Sequence, residues 1–255
     1  MYETIRIEEP DAPVARIVLD HPPLNVLTID MLHEISDAIE SLADRPDLKA
    51  LVFAGEGKAF SAGVDVEDHV DEKVRPMIAA FHGVFRRLAD FEPVTVALVE
   101  GPALGGGCEL AAFCDLVLAS EEARFGQPEI ELALFPPVSA AAFRYFVNGK
   151  KTLELMLTGE AVDAREAERI GLVNRVWPAA EFTDRAGFFL DHLAQKSAAG
   201  LRLTKKAYYA AVDEPFDEAL QTVEAIYLDE LMDTRDAHEG IAAFREKRKP
   251  RWKDE

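Results

Sequence analysis

Four short apolar runs rich in β-branched residues, each divided from the next by a stretch of helical spacing, constrain this chain more than any other feature. Ala15-Arg16-Ile17-Val18-Leu19, Ala50-Leu51-Val52-Phe53-Ala54, Val94-Thr95-Val96-Ala97-Leu98-Val99 and Leu116-Val117-Leu118-Ala119 read as strands. Pro22-Pro23 ends the first and Gly55-Glu56-Gly57 the second. Thr28 stands as a helix N-cap, with Met31, Leu32, Ile35, Ala38, Ile39 and Leu42 following at helical spacing. Residues 74–89 repeat that pattern with Ile78, Phe81, Val84, Phe85 and Leu88. Strands joined through helices need crossover connections, so the order predicts a mostly parallel sheet. From about Leu153 the strand signals fade, and helical patterns cover 164–170, 182–196, 201–211 and 216–233. The expectation is an α/β core over residues 1–195 and a helical C-terminal region over 196–255. No Gly/Ser-rich linker separates them, so the two parts should pack together or against another subunit.

Charge narrows the function. A formal net charge of −19 argues against a nucleic-acid or anionic-membrane binder, since both need a basic footprint. Any phosphate-rich ligand must therefore find cations gathered locally, and Lys247-Arg248-Lys249-Pro250-Arg251 is the densest group. No apolar run is long enough to span a membrane, and the N-terminus lacks a signal-peptide pattern, so the cytoplasm is expected. Cys108 and Cys114 lie six residues apart in one apolar segment. They suit reduced core thiols better than a disulfide or metal site, and no metal is expected.

Three segments carry chemistry. Gly57-Lys58-Ala59-Phe60-Ser61-Ala62-Gly63-Val64-Asp65-Val66 follows a buried strand, and its small residues let a ligand approach the backbone; an ordinary strand-ending turn explains it equally well. Glu100-Gly101-Pro102-Ala103-Leu104-Gly105-Gly106-Gly107-Cys108-Glu109 places a glycine triplet between a strand and a helix. Free N–H groups at such a helix start suit an oxyanion, and Glu109 faces the same side as Gly106. A first-turn carboxylate also serves as a plain partner for the helix dipole. In Phe125-Gly126-Gln127-Pro128-Glu129, Pro128 fixes a bend that would point Glu129 out of a loop. Taken singly, it reads equally as a solvated loop acid.

Together, and in this order, the segments resemble the crotonase (enoyl-CoA hydratase/isomerase) family over nearly the whole chain. The resemblance extends to Pro23-Leu24-Asn25-Val26-Leu27, to Gly171-Leu172-Val173-Asn174, and to Glu246-Lys247-Arg248-Lys249-Pro250 near the terminus. It implies a spiral of ββα repeats with a helical trimerisation region, assembled as a trimer or a hexamer. It further implies that the N–H groups of Val64 and Gly106 form an oxyanion hole and that Glu109 and Glu129 are a hydratase acid/base pair. Coenzyme A, present only as part of the substrate and not as a separate cofactor, would lie near Lys58, Ala62 and Asp65. Phe244 and Lys247 would reach it from a neighbouring subunit. The implied reaction is addition of water to an α,β-unsaturated acyl-CoA.

One stretch departs from the family pattern. Where hydratases of this family carry Pro-x-x-Gly-Gly, this chain reads Phe135-Pro136-Pro137-Val138-Ser139-Ala140. These residues should start a helix by the acyl pocket, lined by Phe135, Pro137 and Val138. With Val64-Asp65-Val66-Glu67-Asp68-His69, the stretch is similar to cyclohexa-1,5-diene-1-carbonyl-CoA hydratases, which implies a cyclic substrate. His69 is expected at the surface or in a loop rather than in catalysis. Rival readings are an isomerase or a thioester hydrolase on the same fold, and a non-catalytic CoA- or RNA-binding relative. A serine hydrolase is disfavoured, because Gly-x-Ser-x-Gly is missing and Ser61 has no visible base.

Overall fold

The computed structural model describes residues 2–9 and 11–254. Strand β1 (Ile5–Glu8) pairs antiparallel with β2 (Val14–Leu19), which leads into helix α1 (Ile29–Ala43). Thr28 caps α1, its Oγ1 accepting the Met31 N–H at 3.2 Å. Strand β3 (Ala50–Gly55) precedes α2 (Val74–Asp90), and β4 (Val94–Val99) runs into a short strand β5 (Pro102–Leu104) and then α3 (Gly106–Phe113). That ββα order recurs in β6 (Leu116–Ser120), β7 (Arg124–Gly126) and α4 (Pro137–Ala142). Next come α5 (Gly149–Thr158), β8 (Val162–Asp163), α6 (Ala164–Arg169) and β9 (Arg175–Trp177). The main sheet runs β1-β2-β3-β4-β6-β9, parallel from β2 onward, and β5-β7-β8 form a second, small sheet.

The central strands are apolar on both faces because both faces are covered. Leu51, Phe53, Ala97 and Val99 join the large core with the buried stripes of α1 and α2. Their neighbours Ala50, Val52, Val94 and Val96 pack instead against Phe182, Ala186 and Leu190 of α7 (Ala179–Ala194).

Helices α8 (Ala198–Ala211), α9 (Phe216–Ala225) and α10 (Arg235–Glu246) make up the C-terminal region. Lys205 fastens α8 to the core, its Nζ donating to the carbonyls of Phe91 at 2.8 Å and Pro93 at 3.0 Å and pairing with Asp115 at 2.8 Å. The Tyr209 hydroxyl donates to the other Asp115 oxygen at 2.8 Å, and Arg202 donates to the carbonyls of Arg45 and Pro46.

Four details differ from the sequence reading. Strands β1 and β9 are the two edges of the main sheet, and edges need no continuous apolar run. Strands therefore continue past Leu153 without an apolar run to mark them, and β9 buries only Val176. Residues 216–233 are not one α-helix, because Ile226–Leu231 takes a π-helical turn after α9. Glu129 lies in a 3-10 turn (Pro128–Leu132) with Pro128 at its start, rather than in an open loop.

Candidate active site

Three segments meet where β3, β4 and β6 end. Asn25, fully buried, pins the first by donating through Nδ2 to the carbonyls of Glu56, Ala59 and Phe60 at 2.9, 2.9 and 3.2 Å. The Ser61 hydroxyl donates to Asn25 O at 2.7 Å and accepts the Gly63 N–H, so it is a buried structural group and no free nucleophile. Parallel bridges pair Leu27 with Val64 and Ser61 with Ala103, which lays the Val64 backbone alongside the start of α3. Leu27 N–H donates to Gly63 O and Asp65 N–H to Leu27 O, so the Val64 N–H points the other way. Gly106 opens α3, where an N–H has no partner within the helix. Among the described residues neither N–H is taken by another group.

The glycines are required by space. Gly105 caps α3 at φ +52°, and a Cβ there would stand 2.7 Å from Glu129 Oε1. A Cβ on Gly106 would stand 2.8 Å from Val64 Cγ2 and 2.9 Å from the Phe81 ring.

Glu109 rises from the first turn of α3 and is 1% exposed; Glu129 faces it across a cavity of about 430 Å3. Burial pushes the Glu109 carboxyl up to about 7, against hydrogen bonds from Ser139 and Val138 that pull it down, with the Glu129 charge adding to the rise. Burial raises Glu129 as well, and its Oε2 is buried without a partner among the described residues. The Cys108 thiol beside them is driven up by burial and by both carboxylates. With both carboxyls raised and lining one cavity, the pair favours holding one proton over carrying two charges, which equips it to give and to take a proton. Among the described residues no group of His, Cys, Asp or Glu is placed to hold a metal. A second cavity of about 540 Å3 lies under α8, but its Asp115, Lys205 and Tyr209 already bond one another.

The other expected residues are divided. Ala62, Val64, Gly106, Phe135 and Pro137 line the cavity with both glutamates. Val138 does not, because at the start of α4 it turns into the large core. Lys58 is exposed on the loop after β3, and Asp65 caps the 3-10 turn Val66–His69 by accepting the Glu67 N–H at 2.9 Å. Phe244, 85% exposed on α10, and Lys247 at its C-cap stand outside the cavity. His69 lies in a 3-10 turn and lines the cavity wall, its Nδ1 bonding Asp65 O at 2.8 Å. Met77 and Phe81 of α2 also line it. Sequence reasoning missed them as cavity residues, since helical periodicity marks an apolar face without saying whether it meets core or cavity.

Residues 9–255 match the family model described as enoyl-CoA hydratase/isomerase. "Probable enoyl-CoA hydratase echA8" of Mycobacterium tuberculosis is 39% identical over 98% of both chains. Cyclohexa-1,5-dienecarbonyl-CoA hydratase of Thauera aromatica is 35% identical over 96% of this chain and 95% of its own. The crystal structure of an enoyl-CoA hydratase subunit I from Geobacillus kaustophilus superposes with a TM-score of 0.91, at 34% identity, covering 100% of this chain and 99% of the other.

Proposed function

The chain belongs to the enoyl-CoA hydratase/isomerase family, and from that premise we propose that it hydrates an α,β-unsaturated acyl-CoA thioester. The observation that carries this reading is one cavity holding the buried Glu109 carboxyl and the half-buried Glu129, beside the unspent N–H groups of Val64 and Gly106. Those donors would receive the thioester oxygen and stabilise the enolate charge that builds on it; losing one such donor costs about 3–4 kcal/mol. One carboxylate takes a proton from water as the water oxygen bonds to the β-carbon. The carboxylic acid of the pair then gives its proton to the α-carbon. The two glutamates favour this over an isomerase or hydrolase, because water addition uses both an acceptor and a donor of protons.

Coenzyme A is part of the substrate, and no separate cofactor takes part. Ala62 on the cavity wall supports the adenine placement, and exposed Lys58, Phe244 and Lys247, with half-buried Asp65, are left for the nucleotide in an assembled trimer or hexamer. Two buried free thiols suit a reducing cytoplasm. The acyl group is read as cyclic. Pro136 and Pro137 stiffen the wall and Phe135 faces the cavity, so a flat ring loses less entropy on binding than a chain with several torsions.

Cyclohexa-1,5-diene-1-carbonyl-CoA and crotonyl-CoA, assayed under identical conditions, test both levels of the reading. Each product should gain the mass of one water. The ring should lead by at least about tenfold in kcat/KM, which corresponds to ~1.4 kcal/mol of transition-state binding. Equal or better use of crotonyl-CoA removes the cyclic preference. No hydration of either, or of longer enoyl-CoA thioesters, removes the hydratase reading.

A further inference from the structure

Besides Glu109 and Glu129, the cavity wall carries two side chains that can hydrogen-bond and have no part in the hydration chemistry, His69 and Glu131. The rest of the wall among the described residues is apolar side chain or glycine. Half-buried His69 is fixed by its turn. Its Nδ1 lies 2.8 Å from Asp65 O, and a carbonyl oxygen only accepts, so Nδ1 carries the hydrogen. In the neutral ring Nε2 is then an acceptor, and it has no hydrogen-bond partner among the described residues. The turn is itself tied down. Asp65 O also accepts the Asp68 N–H at 3.1 Å, and the Asp65 carboxylate accepts the Glu67 N–H at 2.9 Å. Asp68, 6% exposed, takes the Ile29 N–H at 3.4 Å and Lys73 Nζ at 3.0 Å, which fastens the turn to the starts of α1 and α2.

We propose that His69 is a specificity-determining residue whose Nε2 accepts a hydrogen bond from a hydroxyl on the acyl group, so that the substrate class is a hydroxyl-bearing enoyl-CoA. The inference rests on the reading of this cavity as the acyl site. An otherwise apolar wall with one held acceptor selects by hydrogen bonding, because a ligand without the matching donor leaves that acceptor dry and unpaired. Glu131 on the same wall is an acceptor too and has no bond or ion pair among the described residues. Both unassigned groups therefore call for a donor on the ligand. A keto group brings no hydrogen to either. A carboxylate substituent would meet Glu109, Glu129 and Glu131 with no lysine or arginine among the described wall residues. An ammonium group would have to shed its hydration against Val66, Met77 and Phe81. A hydroxyl meets the chemistry of the wall without adding charge.

Calorimetric binding of unreactive ring thioesters to the full chain tests this apart from turnover. The probes are benzoyl-CoA and its 2-, 3- and 4-hydroxy derivatives, which carry a hydroxyl around a ring of one size. At least one hydroxy derivative should bind about tenfold more tightly than benzoyl-CoA, the scale of one hydrogen bond in a desolvated site. His69→Asn is the diagnostic variant, because its side-chain amide can still donate to Asp65 O but places nothing at the Nε2 position. In it the ratio of the two dissociation constants should fall to about one, and His69→Phe should do the same. A merely structural role would weaken all the thioesters alike and keep the ratio. The inference is overturned if no hydroxy derivative outbinds benzoyl-CoA in the wild type, or if the preference survives in His69→Asn. If the preference is present and is lost in the variants while no enoyl-CoA thioester is hydrated, the recognition by His69 stands and the hydratase reading falls.

Discussion

At the scale of single residues, Glu109 and Glu129 reach one cavity from separate elements, and burial raises both carboxyls. A carboxyl raised in the folded state prefers to be protonated there. Its contribution to stability is present at low pH and is lost as pH rises through the folded value, about 7 for Glu109. Glu109→Gln should therefore cut kcat by about 10²–10⁴ while raising the melting temperature at pH 8, since a neutral amide still accepts the Ser139 N–H. Glu129→Gln should cut kcat by a similar factor. Near wild-type turnover in either variant would mean that water addition does not use the pair. Both glutamates were legible in the sequence because each follows a helix-starting or turn-fixing residue. Their burial was not, because Glu109 is enclosed by α4 and Glu129 by Gly105, residues distant in the chain.

Among the elements, the start of α3 and the turn after β7 decide whether the two carboxyls share a cavity. Gly105 combines a left-handed φ with a place where a Cβ would strike Glu129. Gly105→Ala should lower kcat/KM by at least about tenfold and destabilise the fold by about 1–2 kcal/mol, read from steady-state kinetics and urea unfolding. Unchanged kinetics would show that the position of Glu129 is not critical. The central strands were legible because apolar layers cover both of their faces, leaving an unbroken run in each. The helices α1 and α2 were legible from one-sided stripes. Edge strands β1 and β9 and the 3-10 turns were not, since three to five residues of mixed burial carry no period. Val138 shows the same limit, because one residue of a helix start separates cavity from core.

For the whole molecule, the C-terminal helices leave Phe216 76%, Leu228 62% and Phe244 85% exposed on a chain of net charge −19. So much exposed apolar surface suits contact with further copies of the chain. Light scattering should give a mass of three or six chains, and Phe244→Asp should reduce that mass and raise KM for acyl-CoA together. A monomer with full activity would remove the shared-site reading. The sequence by itself determined the parallel α/β core, the family, and which residue types could do the chemistry. These follow from short-range pattern: apolar runs, caps, glycines and the spacing of two glutamates. Only the tertiary structure decided that Glu109 lies buried against Ser139, that His69 and Phe81 line the cavity, and that Lys58 and Asp65 stand outside it. Those outcomes depend on crossings between segments far apart in the chain, and burial and hydrogen bonding, which set the carboxyl chemistry, exist only once such segments have met.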